Sequence, residues 1–287
     1  MKRVTANRSS IGTAACVALR RSVSLPQVFF NQPTIVSMRH GALELARNGS
    51  QCCANEKQVV AIPGGMAFDL TCRTNRDGHY VADLLIPDPA IEWRAATPEG
   101  AAAQCLPRPI DVSDPRFRQS LDRAMAAINQ QQELPDVIAV HHMREVFQWI
   151  ELKGGYAHAP CDGSVSGRIW SICAGDPSRD WSPDEVAHRM GLPVSGLRSK
   201  IHDEGRSFSQ LLHDMRMSHA LSLLLTTNLP IYAIGREIGY QSAPRFSIRF
   251  HERYGLRPGD VRGHDRPVRS RHLASSMASV PAFAHRA

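Results

Sequence analysis

The sequence predicts a multidomain protein with a mainly β N-terminal domain, followed by helices, and an all-α C-terminal domain. Short β-branched or alternating segments, separated by turn residues, run from about residue 27 to 105. A helical periodicity then covers 167–264. Between these regions, 153–166 is Gly-rich and has low propensity for helix or strand. We therefore predict a 27–152 domain, a linker at 153–166 and a helical domain at 167–264.

Both ends of the chain are predicted to be disordered. Residues 1–40 contain six Lys and Arg and no acid. The apolar stretch near the start is short, is followed at once by Arg20 and Arg21, and lacks a convincing cleavage site, unlike an export signal. We therefore predict a disordered basic arm at 1–26. The segment 265–287 is rich in Ser, Arg and Ala and is predicted to be a disordered tail.

The N-terminal domain is predicted to be a degenerate cupin or jelly-roll-like sandwich. Its strand candidates are TIVSMRH, ALELAR, QVVAI, AFDLTCR and YVADLLI. Asp77-Gly78 is a hairpin candidate because this pair tolerates positive φ. Helices are predicted over 114–132 and 136–152. The first is amphipathic and could pair with its twin across a two-fold axis, which predicts a homodimer.

The composition argues against several classes of protein. A hydrophobic content of 43% and a charged content of 21% are typical of a soluble globular chain. No apolar run approaches the length of a membrane span. The seven cysteines contain no C-x-x-C pair, which favours free thiols in a reducing cytoplasm over disulfides or a zinc site.

No catalytic machinery is visible in the sequence. The strand region offers only His40 and His79 as imidazole ligands, fewer than a metal-binding jelly roll needs. There is no Gly-rich phosphate loop, G-x-S-x-G or H-E-x-x-H motif. We predict no enzyme activity, no metal and no cofactor.

The charge is divided unevenly along the chain. The net charge is +6 over 1–40, −5 over 41–165, and +3 over each of 166–264 and 265–287. An acidic middle and a basic C-terminal third indicate that only one part of the chain meets a polyanion.

A first helix-turn-helix unit is predicted after Ser182. Ser182, Pro183 and Glu185 form a helix start with a capping box, in which two side chains each bind a free backbone N–H. The helix ends at Gly191. A second helix follows, with Leu197 and Ile201 directed inward.

A second unit repeats this plan. Ala187 and Gly235 are small residues that allow close helix contact, and each is followed four residues later by a glycine that permits a tight turn. After Gly239, Ser242 caps a helix whose inward residues are Phe246, Phe250 and Tyr254.

A helix predicted over 207–226 joins the two units. Twenty residues at about 1.5 Å each give a rod of about 30 Å. One turn of B-DNA spans about 34 Å, so such a rod could hold two recognition helices in successive major-groove segments.

These motifs resemble the C-terminal domain of AraC/XylS-family bacterial transcription regulators. The resemblance rests on VAHRMGLPVSGLRSKI, RMSHALSLL and IGREIGYQSAPRFSIRFHERYGLRPGDVR. It implies a double helix-turn-helix domain with a linker helix, and the strand-rich front looks like the sensing and dimerisation domain of some members.

The resemblance also implies which residues contact DNA. The candidates are Ser195, Arg198, Ser199, Lys200, Ser242, Arg245, Arg249 and Arg253. Arg198 is the favoured base reader, because arginine can bind guanine O6 and N7 together. Arg245 and Arg249 could read bases or hold phosphates, and Arg253 is expected to be solvated or to face phosphate. The second unit carries Ala243, Pro244 and Ile248 where the family commonly has polar or basic residues. This departure argues against base reading by the second unit and leaves intact the expected binding of the DNA backbone by free N–H groups at the Ser242 helix start.

The implied function is that of a sequence-specific transcriptional regulator, an activator in the favoured interpretation. The expected partners are double-stranded promoter DNA, RNA polymerase, a second copy of the chain and a small-molecule effector, and the expected location is cytoplasmic and nucleoid-associated. The alternative is a ligand-responsive sensor and dimerisation protein whose DNA binding acts mainly as a repressor. An enzyme with an appended DNA-binding tail is less favoured, because the sequence lacks catalytic motifs and metal ligands.

Overall fold

The computed structural model describes residues 5–91, 106–129, 134–155 and 164–262. Its strands are β1 (Thr5–Arg8), β2 (Gly12–Leu19), β3 (Val23–Phe30), β4 (Thr34–His40), β5 (Ala42–Arg47), β6 (Ser50–Ala54), β7 (Gln58–Ile62), β8 (Met66–Arg73), β9 (Tyr80–Pro87) and β10 (Pro109–Asp111). Its helices are α1 (Pro115–Asn129), α2 (Asp136–Leu152), α3 (Val165–Cys173), α4 (Pro183–Met190), α5 (Val194–Asp203), α6 (Phe208–Thr226), α7 (Ile231–Glu237), α8 (Ala243–Tyr254) and α9 (Pro258–Val261).

The strands form two antiparallel sheets that face each other. One sheet has the order β1-β2-β9-β4-β7-β10 and the other β3-β8-β5-β6. Side chains from both sheets share one core, including Val36 and Val60 from the first and Leu45 and Phe68 from the second. The predicted sandwich is confirmed.

Strand β7 shows why QVVAI is an unbroken apolar run. Val60 and Ile62 face the second sheet, whereas Val59 and Ala61 face α1 and α2. A strand covered on both faces has no solvent side on which to place polar residues.

The predicted disordered arm at 1–26 is wrong for the residues that the structure describes. β1 and β2 form one edge of the first sheet, and β3 forms an edge of the second. Ile11, Ala14 and Ala15 are almost completely buried. The alternation of GTAACVAL and VSLPQVFF is typical of strands, and it determines the structure here despite the basic charge of the segment. The predicted tail at 265–287 lies outside the described residues.

The turn at Asp77-Gly78 does not form a hairpin between paired strands. Gly78 has φ of 74° and belongs to a tight turn in which the Asn75 side chain accepts hydrogen bonds from the backbone N–H groups of Asp77 and His79. The flanking strands β8 and β9 lie in different sheets. The chain therefore uses this turn to cross from one layer of the sandwich to the other.

Helices α1 and α2 cover the outer face of the first sheet. The apolar face of α1, with Phe117, Leu121 and Ile128, packs against α2 and the sheet. The apolar face that suggested pairing of this helix across a two-fold axis is therefore used within the chain. A homodimer stays a prediction.

The C-terminal helices pack against the second sheet through β3. Phe29 joins the core formed by α3 to α6, and Val28 joins the core formed by α6 to α8. The molecule thus has four layers: α1 and α2, the first sheet, the second sheet, and the helical domain. The predicted boundary at 153–166 remains a prediction. In the described part of the chain, no helix combines the length and apolar character that a membrane span requires.

Candidate nucleic-acid interface

The first helix-turn-helix unit is formed by α4 and α5. The Ser182 hydroxyl accepts a hydrogen bond from the N–H of Glu185 at 3.2 Å, and Pro183 occupies the first helical position. The Glu185 carboxylate instead binds Arg179 at 2.7 Å and Arg189 at 3.1 Å. Ser182 thus caps the helix as predicted, while the reciprocal half of the capping box is replaced by ion pairs.

The second unit is formed by α7 and α8. Gly235 lies against Phe246, because a Cβ added at Gly235 would be 3.4 Å from the phenylalanine Cβ. Phe246, Phe250 and Tyr254 line the buried side of α8, and their consecutive rings lie 5.7 and 5.0 Å apart. Their predicted role as core residues is therefore confirmed.

The exposed face of the first recognition helix, α5, carries Ser195, Arg198 and Ser199, whereas Lys200 lies farther round the helix. Leu197 and Ile201 are buried beneath it. The exposed members of the predicted set are Ser195, Arg198, Ser199 and Lys200. Among the residues that the structure describes, Arg198 forms no hydrogen bond or ion pair with a neighbour, so its guanidinium is available to a ligand.

The exposed face of α8 is less polar. Arg245 and Arg249 lie on it, and Arg249 binds Glu252 at 2.9 Å. Ile248 is 58% exposed on the same face. An isoleucine offers a base edge only apolar contact, such as that with a thymine methyl group.

The two recognition helices also begin differently. The α5 start has Pro193 in the capping position and no side-chain cap. At the α8 start, Pro244 has no N–H, and the Arg245 N–H donates to the Ser242 hydroxyl at 3.4 Å. The α8 start therefore has fewer free amides than expected, which weakens the predicted phosphate-binding role of the Ser242 helix start.

Arg253 does not belong to the exposed set. Its side chain is 18% exposed, binds Asp214 of α6 at 3.1 Å and lies 5.8 Å from the Tyr254 ring centroid. Asp214 also contacts Arg206 at 3.6 Å. The expectation that Arg253 is solvated is thus wrong, its contact with phosphate stays a prediction, and its position indicates that it ties α8 to α6. The sequence pattern does not indicate a role for Asp214, because it does not show which arginines are directed towards α6.

Helix α6 joins the two units and begins with a complete capping box. The Ser207 hydroxyl accepts from the Gln210 N–H, and the Gln210 side chain accepts from the Ser207 N–H. Its 19 residues give a length of about 28 Å. Arg216, one of the residues on which the family resemblance rests, donates to the carbonyls of Pro177 and Arg179 at 2.9 Å each and thereby holds the loop before α4.

The middle of α6 is fixed to the N-terminal domain. The buried Ser218 hydroxyl accepts from the Phe29 N–H at 3.1 Å and lies 3.3 Å from the Tyr254 hydroxyl. Burial raises the pKa of Tyr254 to about 12, so this hydroxyl stays protonated at neutral pH. Ser218 thus links α6, α8 and β3.

A cavity of about 250 Å³ lies between the two sheets and α6. The sandwich contributes most of the lining, including Val36 and Leu84, and α6 contributes Met215, His219 and Leu225. The sequence predicted a ligand-binding sandwich, but not that a helix of the other domain would complete the cavity wall.

The described residues contain no cluster of His, Cys, Asp or Glu that could hold a metal ion. His141 and His142 are neighbours on α2 with ring centroids 6.3 Å apart. Burial lowers the pKa of His142.

Sequence comparison places a known domain over the two units. The helix-turn-helix domain model matches residues 186–264. The urease operon transcriptional activator of Escherichia coli is 34% identical over 110 residues, which are 38% of this chain and 37% of that protein. The virulence regulon transcriptional activator VirF of Shigella flexneri is 32% identical over 95 residues, or 33% of this chain and 36% of that protein. The chain thus spans only about a third of the length of these relatives.

Structure comparison extends to both domains. Wild-type ToxT of Vibrio cholerae, solved with an unsaturated fatty acid bound, superposes with a TM-score of 0.65 at 14% identity over 88% of this chain and 95% of that one. ToxT of strain O395 gives 0.64 at 12% identity over 91% and 100%. The chain therefore has the two-domain fold of ToxT, and its residues 186–264 match a helix-turn-helix domain.

Proposed function

We propose that this protein is a sequence-specific transcriptional regulator that binds two successive major-groove segments of promoter DNA. The observation that carries the proposal is the pair of recognition helices, α5 and α8, joined by the rod α6. The α6 length of about 28 Å is close to the 34 Å, or about ten base pairs, of one duplex turn. Two recognition helices joined by α6 can thus contact one face of the duplex.

The proposed direction of regulation is activation, with RNA polymerase as the partner at the promoter. The relatives that share the helix-turn-helix domain include the urease operon and virulence regulon activators. Such a protein acts on DNA in the cytoplasm, associated with the nucleoid.

Footprinting on sites selected from a random pool tests the DNA-binding mode. Purified full-length protein should protect two major-groove patches on one face of the duplex, separated by about ten base pairs. Inserting about five base pairs between the patches turns them to opposite faces and should abolish joint protection. A single short patch that tolerates this insertion would contradict the two-head mode.

We propose further that a small molecule in the cavity controls DNA binding. Support comes from the position of the cavity, because Met215, His219 and Leu225 of α6 form part of its wall. A ligand there contacts the same helix that carries the two recognition units. ToxT, which has the same fold, has been solved with an unsaturated fatty acid bound.

A further inference from the structure

The lining of the cavity is strongly apolar. Aliphatic and aromatic side chains from both sheets and from α6 form nearly all of it. They include Leu25, Phe30 and Leu84 from the sheets and Met215, Leu221 and Leu225 from α6. Apolar cavities of about 150 Å³ stay dry and bind benzene-sized molecules, so a cavity of about 250 Å³ suits a larger apolar ligand.

None of the described residues that line the cavity is a lysine or an arginine. Arg262 follows the lining residue Val261 in the chain and does not itself line the cavity, although its Nε and Nη2 atoms are buried and have no hydrogen-bond partner among the described residues. His219 is the one imidazole in the described lining, and burial lowers its pKa, so it is neutral at neutral pH. A carboxylate bound here would therefore lose its hydration without gaining a cationic partner from the described lining residues.

Neutral hydrogen-bonding groups are nevertheless present. Asn31 and Gln32 line the cavity from the sandwich, and His219 and Ser222 line it from α6. Amide, imidazole and hydroxyl groups can donate to or accept from an alcohol, ketone or ester without a change in charge. The wall thus provides an apolar body and a few neutral polar contacts, the usual pattern of a small-molecule site.

We propose that the cavity takes an uncharged, mainly aliphatic ligand with a neutral hydrogen-bonding end group, and that it discriminates against the corresponding carboxylate. This inference rests on the proposed regulatory function of the same cavity for its biological role. The ligand preference can be tested separately from the regulatory function, because ligand binding can be measured without DNA.

The experiment compares 1-dodecanol with dodecanoate, which have the same chain length and differ in the charge of the end group. Binding of each radiolabelled probe to purified full-length protein is measured by equilibrium dialysis, below the concentration at which either probe aggregates. At about pH 7.5 the carboxylate is ionised. We expect dodecanol to bind at least about tenfold more tightly than dodecanoate, because only the ion loses solvation that the cavity does not replace.

A charge placed at the cavity tests where the probes bind. Ser222 both lines the cavity and is exposed to solvent, so the lysine of Ser222→Lys can bring its ammonium to the cavity wall while retaining hydration. This variant should tighten dodecanoate binding by about tenfold and leave dodecanol binding unchanged. Ser209→Lys makes the same change at an exposed position on α6 outside the lining and should alter neither.

Each other outcome overturns the proposal. Wild-type protein that binds dodecanoate as tightly as dodecanol has no such discrimination, and protein that binds neither has no such site. A preference for dodecanol that Ser222→Lys leaves unchanged would place the binding elsewhere. DNA binding by the same preparations, measured separately, decides the proposed regulatory function independently of these results.

Discussion

The two helix-turn-helix units share a plan but present different surfaces. Helix α5 exposes Arg198, which has no partner among the described residues, and begins without a side-chain cap. Helix α8 also exposes Arg245, whose side chain has no hydrogen-bond or ion-pair partner among the described residues, but it has Arg249 paired with Glu252, exposes Ile248 and begins with a capped turn that contains Pro244. The first unit therefore has more free hydrogen-bonding capacity to offer base edges and phosphates.

The units also differ in how they are supported. Val23, Leu25 and Val28 of β3 belong to the same apolar core as Phe246. The core of the first unit receives Phe29, whose ring meets Trp170 of α3 edge-on at 4.7 Å. We infer that the second unit is the anchored one, held against the N-terminal domain, and that the first unit contributes more to sequence recognition.

The largest expected effect comes from breaking the rod between the units. Ser218→Pro removes a backbone hydrogen bond in mid-helix and costs about 3 kcal/mol or more of helix stability. The two heads would then bind independently, so affinity for a two-patch site should fall to that for one patch. Fluorescence anisotropy with two-patch and one-patch duplexes measures this.

Ser218→Ala is the matched control for the broken rod. It removes the hydroxyl contacts with Phe29 and Tyr254 but leaves the helix backbone intact. It should retain most of the preference for the two-patch duplex. If Ser218→Pro, still folded by circular dichroism, retained that preference as well, α6 would not be the element that couples the heads.

The two turn glycines should differ in their tolerance of alanine. Gly191 and Gly239 have φ of 67° and 85°, so alanine at either costs about 1–2 kcal/mol for the left-handed conformation. At Gly191 no atom lies within 4 Å of the added Cβ, whereas at Gly239 the Ser178 carbonyl oxygen would be 2.9 Å away. Gly239→Ala should therefore lower the free energy of unfolding more, as measured by urea denaturation. Equal losses would show that both turns are limited by φ alone.

Alanine substitutions of the recognition-helix arginines should affect sequence specificity and overall DNA affinity differently. If Arg198 reads a guanine, Arg198→Ala should reduce discrimination at particular base pairs by about 1–3 kcal/mol. If Arg249 holds a phosphate, Arg249→Ala should weaken binding to all DNA sequences alike. Its guanidinium is already engaged by Glu252, so no base contact is expected to depend on it. The control is Arg76→Ala, which removes the same charge from an exposed turn between β8 and β9 of the N-terminal domain. Binding-site selection with each variant would contradict this assignment if Arg249→Ala alone relaxed the consensus.

The sequence predicts the helical domain better than the β domain for a physical reason. Caps such as Ser182, turn glycines and residues at helical spacing are local signals, and the structure shows them where the pattern indicated. The early strands are stabilised by pairing with segments far away in the chain, as β2 pairs with β9. Local composition alone therefore does not distinguish them from a disordered basic arm. The role of Arg253 is equally non-local, because it depends on Asp214 of another helix.

The smallest expected effect distinguishes a structural arginine from a phosphate contact. Arg253→Ala should lower the free energy of unfolding by about 1 kcal/mol, because Asp214 keeps its contact with Arg206 when the partner on α8 is lost. It should leave the salt dependence of DNA binding unchanged. Arg249→Ala, if that residue holds a phosphate, should instead reduce the slope of log affinity against log salt by about 1 with little effect on stability. A reduced slope for Arg253→Ala would mean that this arginine leaves Asp214 to contact the backbone of bound DNA.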